Sequence, residues 1–230
     1  MIEICPVDRC IQIFAYVRRI LLPEELAAIH PRLYHITRPS ALASISKHGL
    51  LPTSDLLALF ELPAELKLEL ETRRRPKNAI IEHPVHGEAT LTDNGPLSES
   101  VLSGILDDGL TASQWMRMLN DRVFFWPDEG SMNKHLAAHL RDGKARVVMV
   151  FDTLSLVTAC YDRVQLCPII AGSTIRMPVR RGLSTFSAVN EHTYREWQQL
   201  RGKRDRIKEL VVRGSVKNIE PHLVHQYDVS

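Results

Sequence analysis

The 230-residue sequence predicts an α+β fold, a single domain over 1–230 with a helical N-terminal extension over 1–30. Three observations carry this. Short β-branched and aromatic runs crowd the second half at irregular intervals, which disfavours a regular doubly wound sheet. No repeat occurs, and no Gly-, Ser- or Pro-rich linker divides the chain. Neither G-x-G-x-x-G nor G-x-x-x-x-G-K-[ST] is present, so the phosphate loops of Rossmann and P-loop enzymes are missing.

Taken in order, residues 7–29 suggest two helices broken at Pro23, which suits the first position of the second. Arg32 to Thr37 reads as a short strand. Pro39 and Ser40 open a helix carrying Leu42 and Ile45 on one face, and Gly49 closes it. Helical signals run from Asp55 to about Arg74 with a restart at Pro63; Leu62, Leu66 and Leu70 mark one face. Asn78–His83 and Glu88–Asp93 form a hairpin around Pro84–Gly87. Helices follow at 98–106 and 111–120, the second opened by the capping box Thr111-Ala112-Ser113-Gln114. Strands are expected at 122–126, 145–151, 163–167, 206–212 and 223–229, with helices at 131–140, 152–160 and 192–200.

The chain is 44% hydrophobic and 24% charged, enough for a sizeable core, and its net charge of +2 neither requires nor excludes a polyanionic partner. Ile11 to Val17 is short and flanked by Asp8, Arg9, Arg18 and Arg19, so no secretory signal is expected. No run approaches the ~20 apolar residues that span a bilayer, and a cytoplasmic location without membrane contact follows. Cys5 and Cys10 (C-x4-C) and Cys160 and Cys167 (C-x6-C) read as reduced thiols rather than metal ligands. His135 and His139 lack the glutamate of H-E-x-x-H, and His83 and His86 beside Glu88 lack a third ligand, so no metal is expected. A Ser or Cys hydrolase finds no support, since no G-x-S-x-G occurs.

Chemistry concentrates first in Tyr34-His35-Ile36-Thr37, followed by ALASISKHGLL at Ala41 to Leu51. Strand, short helix, then H-G-L-L resembles the opening of the DarT-type ADP-ribosyltransferases, which modify nucleobases in DNA. The segment is also similar to an uncharacterised bacterial family with RRP and FFW patterns. The resemblance implies an ADP-ribosyltransferase-like split β-sheet core. It also implies that His35, with Tyr34 and Thr37 nearby, holds the NAD ribose next to nicotinamide. NAD would be consumed as a substrate, with no metal.

Glu209, in Arg206-Ile207-Lys208-Glu209-Leu210-Val211-Val212, is a carboxylate inside an apolar strand, a costly placement unless its charge is used or paired. By the same resemblance it is the catalytic glutamate and hydrogen-bonds the 2′-hydroxyl of the nicotinamide ribose. Breaking the nicotinamide–ribose bond builds positive charge on the sugar, which a fixed carboxylate stabilises. Arg73-Arg74-Arg75 suits a pyrophosphate or a nucleic-acid backbone, because guanidinium binds phosphate oxygens in pairs; Arg74 and Arg75 are the preferred functional arginines. Phe125 and Trp126 offer faces for nicotinamide or a base, the alternative being plain core. Ser184 and Thr185 resemble part of the S-T-S element that supports the nicotinamide pocket, with a turn or cap as the alternative. Arg201, Lys203, Arg204, Arg206 and Lys208 lead into Glu209 and suit phosphate contacts.

The expected function is NAD-dependent ADP-ribosyl transfer to a nucleic-acid base, DNA ahead of RNA, with a toxin role and an antitoxin partner following by analogy alone. The alternatives are an RNA 2′-phosphotransferase, an NAD glycohydrolase, and a non-catalytic nucleic-acid- or protein-binding domain.

Overall fold

The computed structural model describes residues 20–140, 143–175, 178–201 and 207–230. The first expected helix, Cys5, Cys10, Lys203, Arg204 and Arg206 lie outside the described residues. From Pro23 on, α1 (Pro23–Ile29) starts with proline and Glu24–Glu25 in its first turn and buries Leu26. β1 takes Arg32–Thr37, the bounds that the residue pattern predicts. A single 3₁₀ turn (Pro39–Ala41) leads into α2 (Leu42–His48), closed by Gly49 at φ 78°. No side chain fits there, because a Cβ would lie 2.2 Å from the Val216 carbonyl oxygen.

α3 (Thr53–Leu59) and α4 (Ala64–Thr72) are separated at Pro63. β2 (Ala79–His83) and β3 (Gly87–Leu91) form the hairpin, with His83 opposite Gly87. α5 (Glu99–Ile105) and α6 (Ala112–Asn120) follow, and the capping box at Thr111 closes: its hydroxyl accepts from the Gln114 amide at 3.2 Å. Then come β4 (Arg122–Phe125), α7 (Glu129–His139), β5 (Arg146–Asp152), α8 (Thr153–Cys160), β6 (Val164–Cys167), β7 (Ser187–Ala188), α9 (Tyr194–Arg201), β8 (Glu209–Arg213) and β9 (Leu223–Val229). Among the described residues no helix is long and apolar enough to cross a membrane.

Apart from the hairpin, the strands form two antiparallel sheets, β1-β5-β9 and β4-β8-β6-β7. They meet edge to edge, where Tyr34 and Trp126 exchange both backbone hydrogen bonds at 2.9 Å. The fold is therefore α+β. Two strand expectations need correction. The strand expected over 206–212 begins only at Glu209, with Ile207 and Lys208 outside it, and the two-residue β7 went unforeseen because it is too short to show a pattern.

Side chains alternate across the sheets. Leu33, Phe125, Met149, Phe151, Leu210 and Val212 enter the main core. The opposite side carries two smaller clusters. Met132 and Leu136 of α7 cover Val148 and Val150, while Trp115, Met116, Cys167 and Phe186 cover Val211. The hairpin has a satellite core of its own, formed by Leu57, Phe60, Leu70, Ile81 and Leu91.

Candidate functional site

The last three residues of β1, His35, Ile36 and Thr37, line a cleft of about 390 Å³. Its other walls are the turn and helix after β1 (Arg38, Ser40, Ser44), the loop from Gly49 to Thr53, the inner hairpin strand from Glu88 to Thr92, and Arg146. The loop is pinned because Leu50 and Val216 exchange backbone hydrogen bonds at 2.9 Å beside Gly49. A second histidine, His135, also lines the cleft, and hydroxyls and cations surround the first, His35.

That histidine is positioned firmly. His35 Nδ1 lies 3.0 Å from the Phe124 carbonyl oxygen, and its ring sits 5.8 Å from Phe125. A carbonyl only accepts, so Nδ1 carries the proton and Nε2 keeps a lone pair. Desolvation lowers the His35 pKa and outweighs the opposing effect of the Phe124 carbonyl, favouring this neutral ring. A neutral imidazole with Nε2 as acceptor suits a hydroxyl donor such as a sugar.

Around His35 the sequence-derived residues divide. Thr37 lines the same cleft. Phe125 is buried core behind His35, packed edge-on against Phe151 at 5.6 Å, and offers no stacking face. Tyr34 and Trp126 form the seam between the sheets, and the Trp126 ring lies 4.7 Å from His135.

Arg73, Arg74 and Arg75 diverge. Arg75 reaches the cleft wall, but the residue is only 8% exposed and its guanidinium is spent on the carbonyls of Leu70 and Thr92 and on Asn120 Oδ1. It staples α4 to the hairpin. Arg74 donates to the Gly95 carbonyl at 3.0 Å, and its amide donates to Glu99 at 2.6 Å. Arg73 and Arg74 line a separate groove with Arg117, Glu65, Glu69 and Glu99. The expected triple-arginine phosphate site is thus not assembled, because Arg74 and Arg75 are drawn to different partners, Gly95 and Glu99 for the one and Leu70, Thr92 and Asn120 for the other.

The largest departure concerns Glu209. It is buried at 5% exposure and stands opposite Cys167 in the ladder. Like Val211, it points away from the Leu210–Val212 face on which His35 meets Phe125, so the structure does not bring Glu209 into the His35 cleft. Its Oε2 accepts from the Ala171 amide at 2.9 Å. Burial pushes its pKa up to about 7, against the opposing pull of that amide, the Cys167 thiol and Arg181. Arg181 is itself 2% exposed and holds the carbonyls of Ala171, Ser173 and Val179.

Ser184 and Thr185 belong to a turn beside this cluster. Thr185 Oγ1 accepts from the Gly182 amide at 2.9 Å, and the Ser184 carbonyl accepts from the Ser187 hydroxyl at 3.3 Å. They precede β7, at the far edge of the second sheet from β1, so they act as turn residues. Cys160 and Cys167 are free, buried thiols on opposite sides of the sheet.

Residues 31–223 match the model of a family described as a family of unknown function, DUF7002. The chain belongs to that family. No curated protein matches it. The part characteristic of DUF7002 starts one residue before β1 and ends at the first residue of β9, so it contains the entire cleft and leaves out α1.

Sequence reasoning missed two contributors. Glu88 lines the cleft, although the sequence offered it only as a neighbour of two histidines. His48 supplies a third ring to those histidines: His86 lies 5.3 Å from His48 and 4.7 Å from His83. Among the described residues no group of three or more His, Cys, Asp or Glu is arranged to hold a metal ion.

Proposed function

We propose that this DUF7002 chain is an NAD-consuming ADP-ribosyltransferase that acts on a nucleic-acid base and uses the His35 cleft. The observation that carries the reading is His35 itself, a neutral ring fixed by Phe124 at the floor of a cleft lined with hydroxyls and arginines. Its Nε2 accepts a hydroxyl of the nicotinamide ribose, while Arg38 on the cleft wall faces the pyrophosphate. Two sheets joined at a single seam support a split-sheet core of the transferase type. Tyr34, Thr37 and Trp126 frame the strand end that presents His35.

The test is nicotinamide release from NAD by the purified protein, alone and with single-stranded DNA, duplex DNA or RNA, while the mass of each nucleic acid is followed. Release that depends on one nucleic acid, with ADP-ribose added to it, is the expected result. Release without any acceptor would make the protein a glycohydrolase. No release and no NAD binding would leave a binding module.

One observation favours a second reading. Arginines outnumber carboxylates on the cleft wall, which also suits an RNA 2′-phosphotransferase. Loss of a 2′-phosphate from RNA, with a cyclic ADP-ribose phosphate as the second product, would select it.

A further inference from the structure

Resting on the transferase reading above, we propose that Glu88, and not Glu209, is the carboxylate that acts on the acceptor in the His35 cleft. Glu209 faces the opposite side of the sheet and is closed off by the chain's own Ala171 amide. Glu88 is the carboxylate that lines the cleft with His35. Alternation along β3 sends Ala89 and Leu91 toward the hairpin's own core, which leaves Glu88 and Thr90 on the other face.

Two further features single Glu88 out. It stands directly opposite Glu82 in the ladder, a like-charge pairing that works against the hairpin, and among the described residues neither carboxylate has an ion-pair partner. The segment is also held in place. Two residues before Glu88, the His86 ring packs 5.3 Å from His48 at the end of α2 and 5.9 Å from Phe60. The hairpin is thereby fastened to the helix that follows the His35 strand, which fixes Glu88 relative to His35.

The chemistry balances without another co-reactant. The bond between nicotinamide and C1′ of the ribose breaks, and nicotinamide leaves with the electron pair. Positive charge gathers on the sugar and is met by the Glu88 carboxylate. A nitrogen of the acceptor base attacks C1′ to form the new glycosidic bond, and its proton passes to Glu88.

The experiment compares the full chain with Glu88→Gln, Glu82→Gln and His35→Ala, measuring nicotinamide release with the nucleic acid that supports it and NAD binding by calorimetry. Glu88→Gln should lower kcat by about 10²-fold or more and leave the NAD dissociation constant within about threefold, a split that separates chemistry from binding. Glu82→Gln should turn over like the parent and so controls for the hairpin. Unchanged turnover in Glu88→Gln, with a working parent, overturns the role of Glu88 and leaves the transferase reading standing. A parent that neither binds NAD nor releases nicotinamide with any acceptor overturns that reading, and the role of Glu88 with it. Equal losses in Glu82→Gln and Glu88→Gln would assign the effect to hairpin structure and overturn the proposal as well.

Discussion

His35 and Glu209 lie on opposite faces of the joined sheets, each shifted by burial, yet only one is placed to meet a ligand. Desolvation lowers the pKa of His35 and raises that of Glu209 to about 7. His35 lines a cleft of about 390 Å³, whereas Glu209 is closed in by Ala171, Cys167 and Arg181. A perturbed titratable group therefore marks a site only where it faces a void that a ligand can enter. The Glu209 cluster is better understood as a buried polar network that fixes the 167–187 segment against β8. The backbone carbonyls of Ala171, Ser173 and Val179 on Arg181 form its other half.

The strongest way to break the comparison is to sever the tie at the cleft rim. Gly49→Ala places a side chain at φ 78°, where its Cβ would meet the Val216 carbonyl oxygen. The expected cost is roughly 2–5 kcal/mol of stability, with NAD binding lost. Calorimetric melting and ligand titration check both, and a rim variant that still bound NAD would place the ligand elsewhere.

The pH response sharpens the contrast. A folded-state pKa of about 7, against an ordinary 4.5, means that the folded protein holds the Glu209 proton more tightly than the unfolded chain does. That contribution is fully present below pH 4.5 and is lost as pH rises through 7, an effect of ~3 kcal/mol. His35 has the opposite sign: its folded pKa lies below 6.5, so stability falls as pH drops below 6.5. Denaturant melts between pH 4 and 8 should show the upper-side loss vanish in Glu209→Gln and the lower-side loss shrink in His35→Gln. Nicotinamide release by Glu209→Gln should match the parent, and its collapse would return Glu209 to the chemistry.

His35→Ala should cost about 10²-fold in kcat/KM, ~2.7 kcal/mol of barrier, through loss of the ribose contact. Its melting temperature should change less than that of the rim variant. The smallest effect belongs to the arginines of the other groove. Arg73→Ala should change stability by less than ~0.5 kcal/mol and leave NAD affinity as it was, because Arg73 is exposed and away from the cleft. Weaker NAD binding in that variant would extend the site toward Arg117.

Much of the fold was legible because its signals are local. Pro39 and Gly49 bracket α2 and its entry turn, Pro63 separates two helices, Thr111 and Gln114 cap a third, and β1 carries the bounds its residue types imply. His35 at a strand end was visible for the same reason. The fate of Glu209 was not, because it depends on strand pairing with Cys167 and on the segment around Ala171 folding across it. Arg75 misleads likewise. Its type suits a phosphate, but Thr92 and Asn120, 17 and 45 residues away, occupy it first. Glu88 escaped notice because an exposed glutamate on a hairpin gives no local sign of the cavity beneath it.

The junction of the two sheets has one more consequence. A single residue pair, Tyr34 with Trp126, stitches β1 to the edge of β4, whereas six pairs join each two neighbouring strands of the first sheet. So narrow a stitch makes this line the crease of the molecule. Bending along it strains the two backbone hydrogen bonds and the His35–Phe124 contact rather than a whole ladder, and it tilts the strand that bears His35 relative to the second sheet. Deuterium uptake at those two amides is thus a direct gauge of how far the molecule opens, and slower uptake with NAD present would register closure around the dinucleotide.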